Sequence, residues 1–508
     1  MLRLFRIILA IISFLAVTAL FVDVTGFAAQ HWAWMAKIQF IPAVLSLNLL
    51  AFIGLIVLTL VLGRVYCSVI CPLGIYQDIV SRISIIFSKK KTRKLGKFRF
   101  SLNRKILRIS IFAIFAIALI LGLISSICTI LVSLLEPYSA FGRMAVFFGR
   151  PLSVVINNEF AAQAALNDSY SFYFIPQLPF SAALAIIAIS TFLIITVYAW
   201  KSGRGYCNQI CPVGSLLGWI SQYSWLKPVI NTDKCISCGK CARKCKASCI
   251  DSKNHKIDYS RCVACMDCIS VCKDGAISYR HLTSTKTEKA EDQTPDSSRR
   301  AFITGSAVVA GSLAASALGH GDGGLAPLKL KQKADRKVKL VPPGAKGLKW
   351  LASHCTACQL CISNCPNEVL SPSTDLSNFM QPEMDFSKGY CRPECTKCSD
   401  LCPAGAILPI DVATKSSTKI GTAVVDADIC ISGAHGQKCG LCSQSCPAGA
   451  IEMIEVEKNS GKLLPVVDAG LCIGCGSCEY HCPVGTVASN RNNKAAIHVE
   501  GIERHHTI

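Results

Sequence analysis

Cys355-Thr356-Ala357-Cys358-Gln359-Leu360-Cys361-Ile362-Ser363-Asn364-Cys365-Pro366 spells C-x2-C-x2-C-x3-C-P, and the same rhythm returns along the chain. Cys472, Cys475, Cys478, Cys482 and Pro483 repeat it. Cys235, Cys238, Cys241 and Cys245 keep the spacing without the proline, as do Cys262, Cys265, Cys268 and Cys272. Cys391, Cys395, Cys398, Cys402 and Cys430, Cys439, Cys442, Cys446 are stretched variants, each ending in Cys-Pro. These six runs take 24 of the 30 cysteines. The tight loop aims three thiolates at one iron–sulfur cluster, and the fourth cysteine usually serves a neighbouring cluster. Six [4Fe-4S] clusters are therefore expected, and a chain so equipped moves electrons. Structural zinc would instead want two C-x2-C pairs separated by a longer stretch. Disulfides would require an oxidising compartment around the domain that holds them.

Half of the 508 residues are apolar, and four stretches in the first 200 are long enough to span a bilayer as helices. They are Ile7–Phe27, Phe40–Leu62, Ile109–Leu135 and Phe180–Trp200. A cleaved leader would explain the first alone. The net charge of +21 does not indicate nucleic acid, because the basic residues cluster where membrane topology wants them. Lys89–Lys105 carries nine Lys or Arg and no acidic residue, whereas the loop Leu135–Pro179 has two Arg against three acids. The positive-inside rule places the N-terminus and the basic loop in the cytoplasm. Anionic membrane lipid is the natural partner of that loop.

Gly63-Arg64-Val65-Tyr66-Cys67-Ser68-Val69-Ile70-Cys71-Pro72-Leu73-Gly74 matches Gly203-Arg204-Gly205-Tyr206-Cys207-Asn208-Gln209-Ile210-Cys211-Pro212-Val213-Gly214. Each closes a helical hairpin on the cytoplasmic side, which reads as a parallel two-hairpin repeat. Brought together, Cys67, Cys71, Cys207 and Cys211 would supply four thiolates for one more iron–sulfur or metal site. A redox-active dithiol, or thiols packed as small apolar groups at helix ends, are the other readings. Arg64 and Arg204 could offset the charge of a cluster there, but are expected at the lipid headgroups. Cys128 and Cys249 read as packing residues without a ligand role.

The expected fold is thus an α-helical membrane domain (1–227) joined to α+β ferredoxin-like multi-cluster domains. A cytoplasmic two-cluster domain occupies 228–285, with β-like segments such as Ile277-Ser278-Tyr279 after each run. Crossed ligation there groups Cys235, Cys238, Cys241 with Cys272, and Cys262, Cys265, Cys268 with Cys245. A polar linker (286–297) follows. Arg299-Arg300 ahead of an apolar run marks 298–319 as a twin-arginine export signal or a fifth span. Folded export would keep cytoplasmically assembled clusters intact. A tether (320–347) then leads to a periplasmic four-cluster domain (348–508). His354 and His481, each preceding a ligand cysteine, and His435 read as surface residues rather than tuning groups.

On these motifs, residues 1–285 resemble the NapH-type membrane polyferredoxin, a quinol dehydrogenase component. Residues 298–508 resemble the NapG-type twin-arginine periplasmic ferredoxin, so the chain looks like a fusion of the two. The resemblance implies a protein of the bacterial cytoplasmic (inner) membrane that serves anaerobic respiration. It would draw on the quinone pool, with menaquinol or another quinol as substrate, and pass electrons to a periplasmic redox enzyme or cytochrome, typically a nitrate reductase. It also implies pairing of run one with run four and of run two with run three. That groups Cys355, Cys358, Cys361 with Cys482, and Cys472, Cys475, Cys478 with Cys365. It likewise groups Cys391, Cys395, Cys398 with Cys446, and Cys430, Cys439, Cys442 with Cys402. Glu136, Tyr138 and Arg143 are weak candidates to meet quinol; placement at a helix end is the plainer reading. Electron input from a periplasmic dehydrogenase, or a metalloenzyme assembly or regulatory role, are the competing functions.

Overall fold

A computed structural model describes residues 2–88, 97–122, 125–169, 172–175, 182–281, 331, 333–455, 463–484 and 495–508. The export signal expected at 298–319 and the linker 286–297 lie outside the described residues, as do 320–330 of the tether and 89–96 of the basic loop.

The N-terminal part is a helical bundle. Its helices are α1 (Leu2–Val22), α2 (Phe27–Lys37), α3 (Phe40–Leu45), α4 (Leu49–Leu62), α5 (Val65–Val69), α6 (Pro72–Ile86), α7 (Lys105–Gly122) and α8 (Ser126–Leu135). Then come α9 (Pro137–Met144), a π turn Ala145–Gly149, α10 (Arg150–Leu166), α11 (Ala182–Ser202), α12 (Gly205–Gln209) and α13 (Pro212–Ser221). Among the described residues, four helical stretches are long and apolar enough to cross a membrane: Leu2–Val22, Lys105–Gly122, Pro137–Leu166 and Ala182–Ser202.

Two of the expected spans differ from these. Phe40–Leu62 is split, because Leu47 takes a left-handed φ of 54° and Asn48 then caps α4 through its side-chain oxygen. The resulting α4 has only 14 residues, short of the roughly 20 a bilayer asks for. Ile109–Leu135 is divided between α7 and α8. Conversely, the stretch taken as a loop, Leu135–Pro179, contains the 30-residue helical run Pro137–Leu166. Its start is fixed locally: Glu136 accepts from the Tyr138 and Ser139 N–H groups, and Pro137 fills the first helical position.

After α13 the chain enters a small module. Strand β1 (Leu226–Ile230) pairs antiparallel with β4 (Ile277–His281), and β2 (Ile250–Asp251) with β3 (Lys256–Ile257). The C-terminal domain holds three more two-stranded ladders. These are β5 (Leu370–Pro372) with β6 (Pro382–Met384), β7 (Thr418–Val425) with β10 (Ile497–Thr507), and β8 (Ile451–Glu455) with β9 (Leu463–Val467). Residues 333–347, expected as tether, belong to this domain instead. Leu340 and Val341 are buried, the Leu340 carbonyl accepts from Met384 N–H, and Arg336 forms a buried ion pair with Glu479 at 2.5 Å. Apolar Leu340-Val341 supplies the burial that a polar tether lacks.

The two cysteine-rich parts occupy opposite ends of the bundle. At the start of α1, Arg3 pairs with Asp267 of the small module at 2.8 Å. At its end, the Leu20 carbonyl accepts from Asn364 of the C-terminal domain at 2.9 Å. Helix α11 is oriented the other way. Its Leu184 packs with Ala357 and Met380 of the C-terminal domain, while Gly203 just beyond its last turn meets the Lys246 backbone. Twenty-one residues of helix span about 30 Å, the thickness of a hydrocarbon core. One apolar core runs through all three parts, from Ile277 through Phe21 and Leu73 to Cys358 and Leu401.

Candidate iron–sulfur sites

The repeated bundle segments fold alike. Gly63 and Gly203, at φ 66° and 62°, end α4 and α11 and let the chain turn sharply into α5 and α12. Cys71 and Cys211 cap the helices that follow, each with proline at the first position. The glycine two residues beyond is obligatory. A Cβ at Gly74 would collide with the Cys67 carbonyl, and one at Gly214 with that of Cys207. All four thiols are buried and lie within electrostatic reach of one another.

Arg64 and Arg204 are not at the headgroups; both are fully buried against the thiols. Arg64 donates to the Cys207 carbonyl at 3.2 Å, to Asn208 at 2.8 Å and to the Cys67 sulfur at 3.8 Å. Arg204 donates to the Cys67 carbonyl and pairs with Asp78 at 2.6 Å. Asp78 also meets Lys246 at 2.6 Å and Arg6 at 3.3 Å. The buried charges thus have partners, which is why they need not reach the surface. Gln77 donates to the Cys207 sulfur at 3.0 Å and the Gly214 N–H to that of Cys211 at 3.4 Å. Guanidinium, amide and backbone donors aimed at sulfur favour thiolates, the form that binds metal.

In the small module, the crossed grouping is present. Cys245 lies within electrostatic reach of Cys262, Cys265 and Cys268. Cys272 joins Cys235, Cys238 and Cys241 around one small cavity. Cys249 is a departure. Its sulfur is 3.5 Å from that of Cys245, and its thiol also hydrogen-bonds Cys262. It packs in the shared core as expected and is at the same time a fifth thiol at that group. No spacing rule reveals it, because it lies outside the four-cysteine run.

The C-terminal domain corrects the pairing implied by the resemblance. Cys402 faces Cys355, Cys358 and Cys361, and Cys365 faces Cys391 and Cys398. Cys446 faces Cys475 and Cys478. Cys482 lines one cavity with Cys430, Cys439 and Cys442. Run one therefore crosses with run two, and run three with run four. The small module trades fourth cysteines between adjacent runs in the same way, without a proline after Cys245 or Cys272. The groups are joined one to the next. Cys361 reaches Cys398, and the Cys391 N–H donates to the Cys475 carbonyl at 3.0 Å, joining the two halves.

The first group abuts the bundle. The Cys358 backbone packs over Gly142, and Tyr138 lies within electrostatic reach of Cys358 and Cys402. Arg143 donates to Ser133 and Ala357 carbonyls, and Glu136 caps α9. Glu136 and Arg143 thus serve helix-end placement. His354 stacks on Trp350 with ring centroids 3.7 Å apart, and burial lowers its pKa. His481 bonds the Ser477 carbonyl within its own helical turn, and His435 ends the short helix Ile431–His435. Cys128 packs at the edge of the bundle core.

Among the described residues, no group of three or more His, Cys, Asp or Glu converges as a single metal ion requires. A zinc site would need sulfurs about 2.3 Å from one point. A four-iron cube takes one thiolate per iron, so four thiols around one space are the donor set it needs.

Profiles of known families agree. The profile described as a 4Fe-4S binding domain matches twice in the bundle, over 46–94 and 184–232, and a profile of the same description matches 255–278. A 4Fe-4S dicluster domain profile matches 437–486. The ferredoxin-type protein NapG of Escherichia coli (strain K12) is 31% identical over 201 residues, 37% of this chain and 82% of that protein. The methylamine utilization ferredoxin-type protein MauM of Methylobacillus flagellatus is 32% identical over 158 residues, 29% of this chain and 66% of its own length. The ferredoxin-type protein NapF of Escherichia coli (strain K12) is 27% identical over 158 residues, 31% of this chain and 87% of its own. No solved structure matches the chain.

Proposed function

Because the chain belongs to the ferredoxin-type iron–sulfur proteins related to NapG, MauM and NapF, we propose that it carries electrons from membrane quinol to a periplasmic reductase. The observation that carries this reading is the joined series of thiol groups. It begins against the bundle at Cys358 and Cys402 and leads away through Cys365, Cys391 and Cys475 to Cys430 and Cys482. Each group holds a [4Fe-4S] cluster on its four cysteines, and a cluster supplies one reversible electron. The protein's part is spacing: the apolar cores in which many of these cysteines pack fix each group beside its neighbour.

The other two clusters sit on Cys235, Cys238, Cys241, Cys272 and on Cys262, Cys265, Cys268, Cys245 at the far end of the bundle. Between the two ends, Cys67, Cys71, Cys207 and Cys211 hold a seventh site, with Arg64 and Arg204 offsetting its negative charge. The twin arginine at Arg299-Arg300 and the opposite-end placement support a cytoplasmic small module and a periplasmic C-terminal domain. The NapH-like reading of the bundle rests on the same placement.

The test is anaerobic mixing of the purified, iron-loaded protein with menadiol, followed by visible absorbance and electron paramagnetic resonance. Reduction of the C-terminal clusters by menadiol, and their reoxidation by an added quinone-independent acceptor, is expected. Clusters that stay oxidised in menadiol, but not in dithionite, would reverse or abolish the assigned direction. Iron should number about 28 per chain, seven clusters of four, and fall to about 24 in Cys67→Ala/Cys207→Ala.

A further inference from the structure

A cavity of about 230 Å³ lies where the bundle meets the C-terminal domain. The bundle contributes Asp23, Arg150, Tyr173 and Phe174, and the C-terminal domain contributes Cys365 and Glu368. Arg150 is only 8% exposed, yet its Nε and Nη1 have no hydrogen-bond partner. A buried guanidinium with free donors is costly unless something accepts from it. Elsewhere in the bundle Arg64, Arg108, Arg143 and Arg204 each hold at least two acceptors. The Nε and Nη1 of Arg150 have none among the described residues, and Arg150 lines a cavity.

We propose that this cavity binds the ring headgroup of a quinol, with Arg150 donating to one ring oxygen. The inference rests on the electron-relay reading and names its point of quinol binding. Four features favour a quinol over another occupant. The site lies at the end of helices whose flanks are apolar and exposed, so a lipid-borne molecule can reach it. Its volume suits one or two fused rings, since a cavity of roughly 150 Å³ already accepts benzene. Tyr173 and Phe174 offer ring faces. Cys365, assigned above as a cluster ligand, forms part of the wall, so the electron has a short first step.

The chemistry balances within these groups. Quinol oxidation breaks two O–H bonds and yields quinone, two protons and two electrons. One hydroxyl gives its proton to water at the open side of the cavity. The second hydroxyl loses its proton by the same route after the first electron has left. The two electrons depart singly to the oxidised [4Fe-4S] centres on Cys391, Cys395, Cys398, Cys365 and on Cys355, Cys358, Cys361, Cys402. Asp23 is held by the Thr25 and Ala28 N–H groups and shapes the wall without taking part.

The experiment uses the full-length, iron-loaded protein and 2-heptyl-4-hydroxyquinoline N-oxide, a quinol analogue whose fluorescence is quenched on binding. Arg150→Leu should weaken binding on the order of tenfold or more, the loss of a hydrogen bond from a charged donor. Ala29→Phe, which adds a ring to the cavity wall and keeps Arg150, should do the same and stands in if Arg150→Leu does not fold. Both variants should be reduced by dithionite to the wild-type extent. If Arg150→Leu and Ala29→Phe bind the probe as wild type does while menadiol still reduces the clusters, the quinol binds elsewhere and only this inference falls. If wild type neither binds the probe nor accepts electrons from menadiol, the relay reading falls with it.

Discussion

Arg204 donates to the backbone carbonyl of Cys67 at 2.5 Å, across 137 residues of chain, and Arg64 does the same for Cys207 at 3.2 Å. Each half of the duplicated segment is therefore completed by the arginine of the other. Arg204→Ala should destabilise the protein by on the order of 3 kcal/mol, because buried Asp78 loses one of its two closest partners and the Cys67 carbonyl its donor. Arg204→Lys should lose most of this as well, since an ammonium cannot reach Asp78 and Cys67 together as the planar fork does. Thermal unfolding in detergent reads the effect. An arginine that merely touched lipid would leave the midpoint unchanged.

Crossed ligation between adjacent runs has a spectroscopic signature. Cys402→Ser should damage the cluster of Cys355, Cys358 and Cys361, and its paramagnetic spectrum should match that of Cys358→Ser. Cys482→Ser should match Cys442→Ser. A Cys482→Ser spectrum matching Cys358→Ser would restore the pairing of the first and fourth runs.

That contrast marks what the residues announce and what they conceal. The runs are legible because one cluster fixes the spacing of three thiols within a single loop. Which fourth cysteine completes the set depends on where short helices and two-residue ladders send the chain, and spacing says nothing of that. Hydropathy likewise finds α1 and α11 but not the break at Leu47 and Asn48, which turns on one dihedral and one cap. Arg64 and Arg204 beside apolar helices read as headgroup contacts because their partners Asn208, Asp78 and Cys67 are either remote or apolar in the sequence. Cys249 escapes notice for the same reason: its neighbour Cys262 is brought to it by β2 and β3.

Cys249 bears on the potential of the cluster it touches. A thiol proton directed at a ligand sulfur withdraws charge from it and favours the reduced state. Cys249→Ala should keep the iron content and shift the potential of the Cys262, Cys265, Cys268, Cys245 cluster to more negative values. Redox titration monitored by paramagnetic resonance measures this. Loss of about four irons would show that Cys249 ligates rather than tunes.

His505 makes the β7–β10 ladder sensitive to acid. Burial pushes its pKa down to about 4, from an ordinary value near 6.5, so the folded domain prefers the neutral ring. The stabilisation is present above pH 6.5 and is lost as pH falls toward 4, because the unfolded chain takes the proton first. Hydrogen exchange of ladder amides, corrected for intrinsic rates, should quicken between pH 7 and pH 5. His505→Phe should flatten the dependence; an unchanged slope would refute the assignment.

The first helix is tied at its head to Asp267 and at its tail to Asn364. A strut pinned at both ends sets the distance between the two redox modules once, at folding. Neither module can swing out to collect or deliver charge as a free ferredoxin does. Throughput across the assembly would then follow tunnelling over fixed gaps between neighbouring groups.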